Sequence, residues 1–182
     1  MRKTIVVEAA IEPLVRLRSV NRDDLEDLRA WKNAAKDGFF FKGEINEKMQ
    51  KAWFAAYHER KDDYLFIVEH DGKKAGCMGF RLEKGRADVY NVIASPWGKG
   101  KGLMAAGLRL MCSHIATLHT KNIGCVVVKG NPAIEFYDRC GFWISGSAVD
   151  RDIMTLNWDS FRPVKIDQVD EKDLGRKKRP LR

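Results

Sequence analysis

No apolar run in this sequence approaches the ~20 residues that a helix needs to cross a bilayer, which argues against membrane insertion. An export signal is missing as well: the short apolar run in MRKTIVVEAAIEP is broken by Glu8 and Glu12, and no small-residue cleavage site follows it. A cytoplasmic location is therefore the expectation. Cysteine is sparse. Cys77, Cys112, Cys125 and Cys140 make neither a CxxC pair nor a zinc-type cluster, so reduced core thiols and no metal site are expected. Two common nucleotide loops are absent too: there is no GxxxxGK[ST] and no full GxGxxG, which disfavours ATP and NAD. What is present is a chain of 182 residues, 45% hydrophobic and 32% charged, the composition of one soluble globular unit. Its net charge is +8, and residues 160–182, with eight Lys/Arg against four Asp/Glu, carry half of it. The patterning predicts a short arm over 1–13, a folded domain over 14–158 and a basic, flexible tail over 159–182.

Elements of both kinds alternate along the domain. LVRLRSV (14–20) reads as a half-buried strand, and Asn21 caps a helix whose Leu25, Leu28 and Trp31 fall three apart. A second helix over 46–60 sets Met49, Trp53, Phe54 and Tyr57 on one face. YLFIVEHDGKKAGCMGFRL predicts a hairpin turning at Asp71-Gly72. A strand over 86–94, a glycine-rich turn, an apolar helix over about 102–118 and a strand over 122–128 then make a strand–helix–strand crossover. A short helix capped by Asn131 ends at Gly141, and two closing strands follow. The architecture expected is α+β, a central mixed sheet flanked by helices.

The turn SPWGKGKG lies between a strand and a helix N-terminus, where unpaired backbone N–H groups and the helix dipole favour a phosphate. Gly98, Gly100 and Gly102 let the backbone approach such a group, and Lys99 and Lys101 add charge. Tyr137, in NPAIEFYDRCGF, is either a core residue with a satisfied hydroxyl or an acid facing the sheet opening.

WGKGKGLMAAGL followed by NPAIEFYDRCGF resembles the general N-acetyltransferase (GNAT) family, whose [QR]xxGx[GA] loop and downstream NxxAxxxYxxxGF segment form an acetyl-CoA site. Asn131, Ala133, Tyr137, Gly141 and Phe142 match the second motif, whereas Trp97 stands where the loop usually carries Gln or Arg. The resemblance implies a mostly antiparallel sheet with a splayed strand pair at the acetyl-CoA site. It implies cofactor contacts from Val92, Ile93 and Ala94, from Gly98 to Leu103, and from Asn131 and Ala133. Tyr137 would protonate the departing thiolate. The family's central-strand glutamate aligns with Arg86, so Asp88, or a water held between Asp88 and Tyr90, becomes the candidate base.

The N-terminal half is similar to a branch that acetylates nucleotide-linked amino sugars or the N-termini of ribosomal proteins. Its Trp-Arg-Asn segment corresponds here to Trp31-Lys32-Asn33, and Phe39, Phe40 and Phe41 would wall an acceptor pocket. Trp31, Asn33, Phe40 and Tyr90 are thus the candidate acceptor contacts. The implied activity is acetyl transfer to a primary amine by direct attack, with a protein N-terminus as the alternative acceptor. With that alternative acceptor the basic tail would help dock an RNA-rich partner such as a ribosome, and a module that binds coenzyme A or nucleic acid without catalysis is the further alternative. Monomer and homodimer both remain open.

Overall fold

The computed structural model describes residues 4–170. In chain order the elements are β1 (Ile5–Glu8), β2 (Arg16–Ser19), α1 (Leu25–Ala34), α2 (Glu47–Glu59), β3 (Asp63–His70), β4 (Lys73–Glu83), β5 (Arg86–Ala94), α3 (Leu103–Leu118), β6 (Ile123–Val128), α4 (Ala133–Arg139), β7 (Phe142–Ser147), β8 (Arg151–Leu156) and β9 (Asp167–Asp170). One sheet takes the order β7-β8-β6-β5-β4-β3-β2-β1-β9, and β5–β6 is its parallel pair. The fold is α+β. Among the described residues no helix is long and apolar enough to cross a membrane, and all four cysteines are free thiols, three of them buried.

Alternation along β3 explains the layering. Leu65 and Ile67 face a cluster with Leu28, Trp31, Phe54 and Tyr57 of α1 and α2, while Phe66 and Val68 face a larger cluster built around α3. Asp71 and Gly72 adopt φ of 49° and 72°, the two positive values that a tight two-residue turn matching strand twist requires. Asn46 caps α2 by accepting the Met49 N–H at 2.9 Å.

The ends of the domain are wider than the patterning predicts. β1 pairs with both β2 and β9, and Ile5, Val6 and Val7 are buried, so these residues are a strand of the sheet instead of a preceding arm. Phe161 also joins the core, and β9 extends the sheet beyond 158. The part of the expected tail from 171 onward lies outside the described residues.

An ionic network ties α1 to this half of the sheet. Arg18 donates to Asp24 at 2.8 and 3.0 Å and to Glu69 at 2.9 Å; Lys74 and Arg16 add ion pairs at 2.9 and 2.6 Å. Burial pushes both carboxyls up, but hydrogen bonds from the cations outweigh it and hold Asp24 and Glu69 below their ordinary 3.8 and 4.5. Carboxyls depressed in the folded state contribute stability above their unfolded pKa values and lose it as pH falls through the folded ones. Urea midpoints are therefore expected to hold down to about pH 5 and to fall steeply below about pH 4. Arg18→Met should flatten that acid limb; an unchanged limb would show that the network does not set it.

Candidate active site

The turn ahead of α3 divides its glycines between two jobs. A Cβ on Gly98 would lie 2.0 Å from the Ala75 carbonyl oxygen, and its N–H is taken by Ser95 at 3.0 Å. Gly98 is therefore a packing glycine against β4, which corrects its assignment as a phosphate contact. The Lys99 N–H is likewise spent on the Ser95 carbonyl, at 3.2 Å. Gly100 and Gly102 are different: both hold φ near +73°, and added Cβ atoms would meet nothing within 4 Å. Gly102 is the N-cap of the 16-residue α3 and no side chain caps that end, so the first-turn N–H groups from Leu103 onward are left without a side-chain acceptor. The Leu103 side chain is itself buried in the core. Trp97 stacks near His70 at 6.3 Å, and Lys101 Nζ sits 3.9 Å above its ring.

A cavity of about 700 Å³ opens where β5 and β6 part. Their ladder runs only from Ala87–Ile123 to Val89–Cys125, and beyond it Tyr90–Ile93 and Val126–Val127 line opposite walls. A bulge marks the same place: register passes from Cys77–Ile93 to Gly79–Tyr90, leaving Asn91 and Val92 opposite Met78, and Asn91 takes φ 50°. Because the cleft passes through the sheet, it joins Tyr137 on the α3 side to Asp88, Lys32 and the Phe39–Phe41 loop on the α1–α2 side.

Tyr137 is 7% exposed, packs against Phe136 and Phe142 at 5.5 Å and lies near the Cys125 thiol. Burial first, then the nearby thiols and Asp88, raises its phenol well above 10, which keeps it protonated. Asp88 is also raised by burial, against the pull of Arg86 and Arg81. Arg86 lies across Gly124 and donates to the Met154 carbonyl at 3.4 Å.

The pattern of the acetyltransferase (GNAT) family matches residues 25–142. This chain belongs to that family. It is 28% identical over 137 residues to the mycothiol acetyltransferase of Clavibacter sepedonicus, covering 70% of this chain and 42% of that protein, so it spans less than half the relative's length. Among solved structures it resembles the spermidine N-acetyltransferase of Vibrio cholerae in complex with CoA and spermine, with TM-score 0.70, 19% identity, and 81% and 97% of the two chains covered. An unliganded nucleotide-linked sugar GNAT superposes with TM-score 0.68 at 18% identity, over 81% and 88% of the chains. At such identities these structures establish a GNAT fold.

Of the expected acceptor contacts, Phe40 and Tyr90 line the cavity and two others do not. Trp31 is 7% exposed within the α1–α2 core. Asn33 spends its amide on the backbone of Ile45, at 2.8 and 2.9 Å, fixing the loop. Tyr90 donates its hydroxyl to Asp63, so its phenol oxygen would face a water shared with Asp88 only as an acceptor. Val92, Ile93, Asn131 and Ala133 line the cavity, whereas Ala94 pairs with Gly76. Asn131 ties α4 to the loop, accepting from Ala133 N–H at 2.9 Å and donating to the Gly38 carbonyl at 2.8 Å.

Sequence reasoning missed three polar groups of this site. Asp63, buried at the start of β3, holds Arg60, Arg81 and Tyr90 together; Asn91 sits on the bulge; Lys32 points its Nζ at Asn91 Oδ1, 2.6 Å away. Only strand register brings the first set together. Lys32 carried a signal, since a lysine one position past a core tryptophan on a helix is turned about 100° from it.

Proposed function

We propose that this GNAT protein is an acetyl-CoA-dependent N-acetyltransferase acting on a primary amine. The observation that carries the reading is the coincidence of an uncapped α3 N-terminus, a cleft between parting parallel strands and a protonated tyrosine at that cleft. The residues fit the cofactor. Free N–H groups of the first turn of α3, with Gly100 and Gly102, would hold the pyrophosphate, and Lys99 and Lys101 would add charge. A second cavity of about 530 Å³, lined by Gly102, Arg109, Arg139 and Arg162, offers cations for the phosphate-rich end. Val92, Ile93 and Ala133 would flank the pantetheine arm. When bound, acetyl-CoA supplies an acyl thioester open to attack by an amine.

Asp88 takes the proton that an acceptor ammonium must lose, and burial, by raising this carboxyl, improves its match to an amine. Tyr137 gives a proton to the departing sulfur. Phe39, Phe40, Phe41 and Trp53 wall the acceptor side and exclude water. Lys32 and Arg81 stand in the same wall, which disfavours a polycation and supports an amine on a neutral or anion-bearing body, such as a nucleotide-linked amino sugar.

Calorimetric titration tests the reading. Micromolar acetyl-CoA binding is expected for the native chain, and Gly100→Glu, which sets a carboxylate and a strained φ at the phosphate cradle, should weaken it on the order of 100-fold or more. Absence of binding to the native chain at millimolar ligand would sink the proposal.

A further inference from the structure

Lys32 is an unusual cation for its surroundings. It projects from the last turn of α1 into the cavity, with its Nζ 2.6 Å from Asn91 Oδ1 and 2.9 Å from the centre of the Phe39 ring. Among the described residues it makes no ion pair with a carboxylate. From β4 it faces the Cys77 thiol and the Arg81 guanidinium; from β5 the cavity receives Asp88 and Tyr90; α2 contributes Met49, Gln50 and Trp53, none of which ionises. Its partner Asn91 is the bulge residue beside which the β5–β6 cleft opens, and the same cavity reaches Tyr137.

We propose that Lys32 is itself an acetyl acceptor: with no free amine in the pocket, its Nζ takes the acetyl group of acetyl-CoA, a self-modification that rests on the acetyl-CoA-dependent function proposed above. A nucleophile here must reach the end of the cleft and must be unprotonated. The first condition is met by the position of Nζ beside the bulge. The second is met chiefly by burial, which with the repulsion of Arg81 and against the opposing pull of Cys77 brings the amine down from 10.5 to about 7. Near neutral pH about half of Lys32 is then free amine, against roughly one in three thousand for a lysine at the ordinary 10.5.

The step balances. A C–N bond forms between Nζ and the acyl carbon as the C–S bond breaks, and its electron pair leaves on sulfur. The nitrogen surrenders one proton to Asp88 or solvent, and the sulfur gains one from Tyr137. The resulting neutral amide keeps an N–H, which can still donate to Asn91 Oδ1, while the acetyl methyl lies toward Phe39. A cation has then gone from the acceptor wall, so the modification would change which amines the pocket admits.

The test is mass spectrometry of the full chain incubated with acetyl-CoA and no added amine, followed by peptide mapping, beside Lys32→Arg and Tyr137→Phe. One acetyl group per chain is expected, mapped to Lys32, with a rate that climbs through pH 7 and levels above about pH 8. Lys32→Arg should gain nothing at that position, and Tyr137→Phe should gain it slowly. If Lys32→Arg fails to fold, the wild-type peptide map decides alone. Acetyl spread over exposed lysines without preference for Lys32 would overturn the proposal, as would an unmodified Lys32 in a chain that calorimetry shows to bind acetyl-CoA; both outcomes leave the N-acetyltransferase reading standing. Failure to bind acetyl-CoA would overturn both.

Discussion

Replacing Tyr137 by phenylalanine is expected to lower turnover about 10²–10⁴-fold while leaving acetyl-CoA affinity little changed. The substitution keeps the ring between Phe136 and Phe142 and removes only a hydroxyl whose nearby polar groups include the Cys125 thiol. Beside so weak a hydrogen-bonding group as a thiol, loss of the hydroxyl should cost the fold no more than about 1 kcal/mol. Loss of rate without loss of cofactor binding or fold is what the removal of a proton donor looks like. Because burial holds the phenol far up its titration curve, Tyr137 should also impose no basic limb on the activity below about pH 10. Thiol release measured at saturating acetyl-CoA, alongside calorimetric binding, reads both quantities. Wild-type turnover in the variant would remove Tyr137 from the mechanism.

The second large effect is on stability. The Asp63 side chain is 3% exposed and anchors Arg60 at 3.0 Å, Arg81 at 3.1 Å and the Tyr90 hydroxyl. Taking the carboxylate away strands two guanidinium groups and a phenol that converge on it. Asp63→Ala is accordingly expected to cost about 3–5 kcal/mol, or on the order of 10 °C in Tm. Asp63→Asn, which keeps an acceptor, should cost less. The damage should reach the cavity too: Arg81 lies 4.1 Å over the Tyr90 ring, and both line it. Equal urea midpoints for Asp63→Ala and wild type would show that the cluster does not hold this wall in place.

These two positions mark how far the sequence could be read. Tyr137 sits in a motif whose spacing is local, as does the hairpin at Asp71-Gly72, and such features survive translation from sequence to structure because neighbours along the chain set them. Strand β5 was legible for the same reason, its predicted limits of 86 and 94 being those observed. Asp63 was not, because its partners Arg81 and Tyr90 become neighbours only through the register of three strands. Trp31 and Asn33 show the rotational version of that limit. Apolar spacing identifies a helix, but which of three consecutive side chains meets the sheet, the loop or the cavity depends on how the helix docks. Gly98 and Gly100 show a further one: two glycines of the same turn read alike in sequence, one making room for β4 and the other for open space. The N-terminal strand was missed because its partner β9 lies at the far end of the described chain.

That last pairing bears on how the molecule assembles. Ile5 meets Asp170 across β1 and β9, a contact that spans almost the whole described chain, whereas the β3–β4 hairpin closes over the two residues of its turn. Loop closure makes the hairpin an early event and the β1–β9 ladder a late one. The same ladder, at the edge of the sheet, should be the first to open in native-state hydrogen exchange. The β5–β6 cleft lies on the other side of that hairpin in the strand order, so opening of the β1–β9 ladder is expected to leave the cleft walls standing.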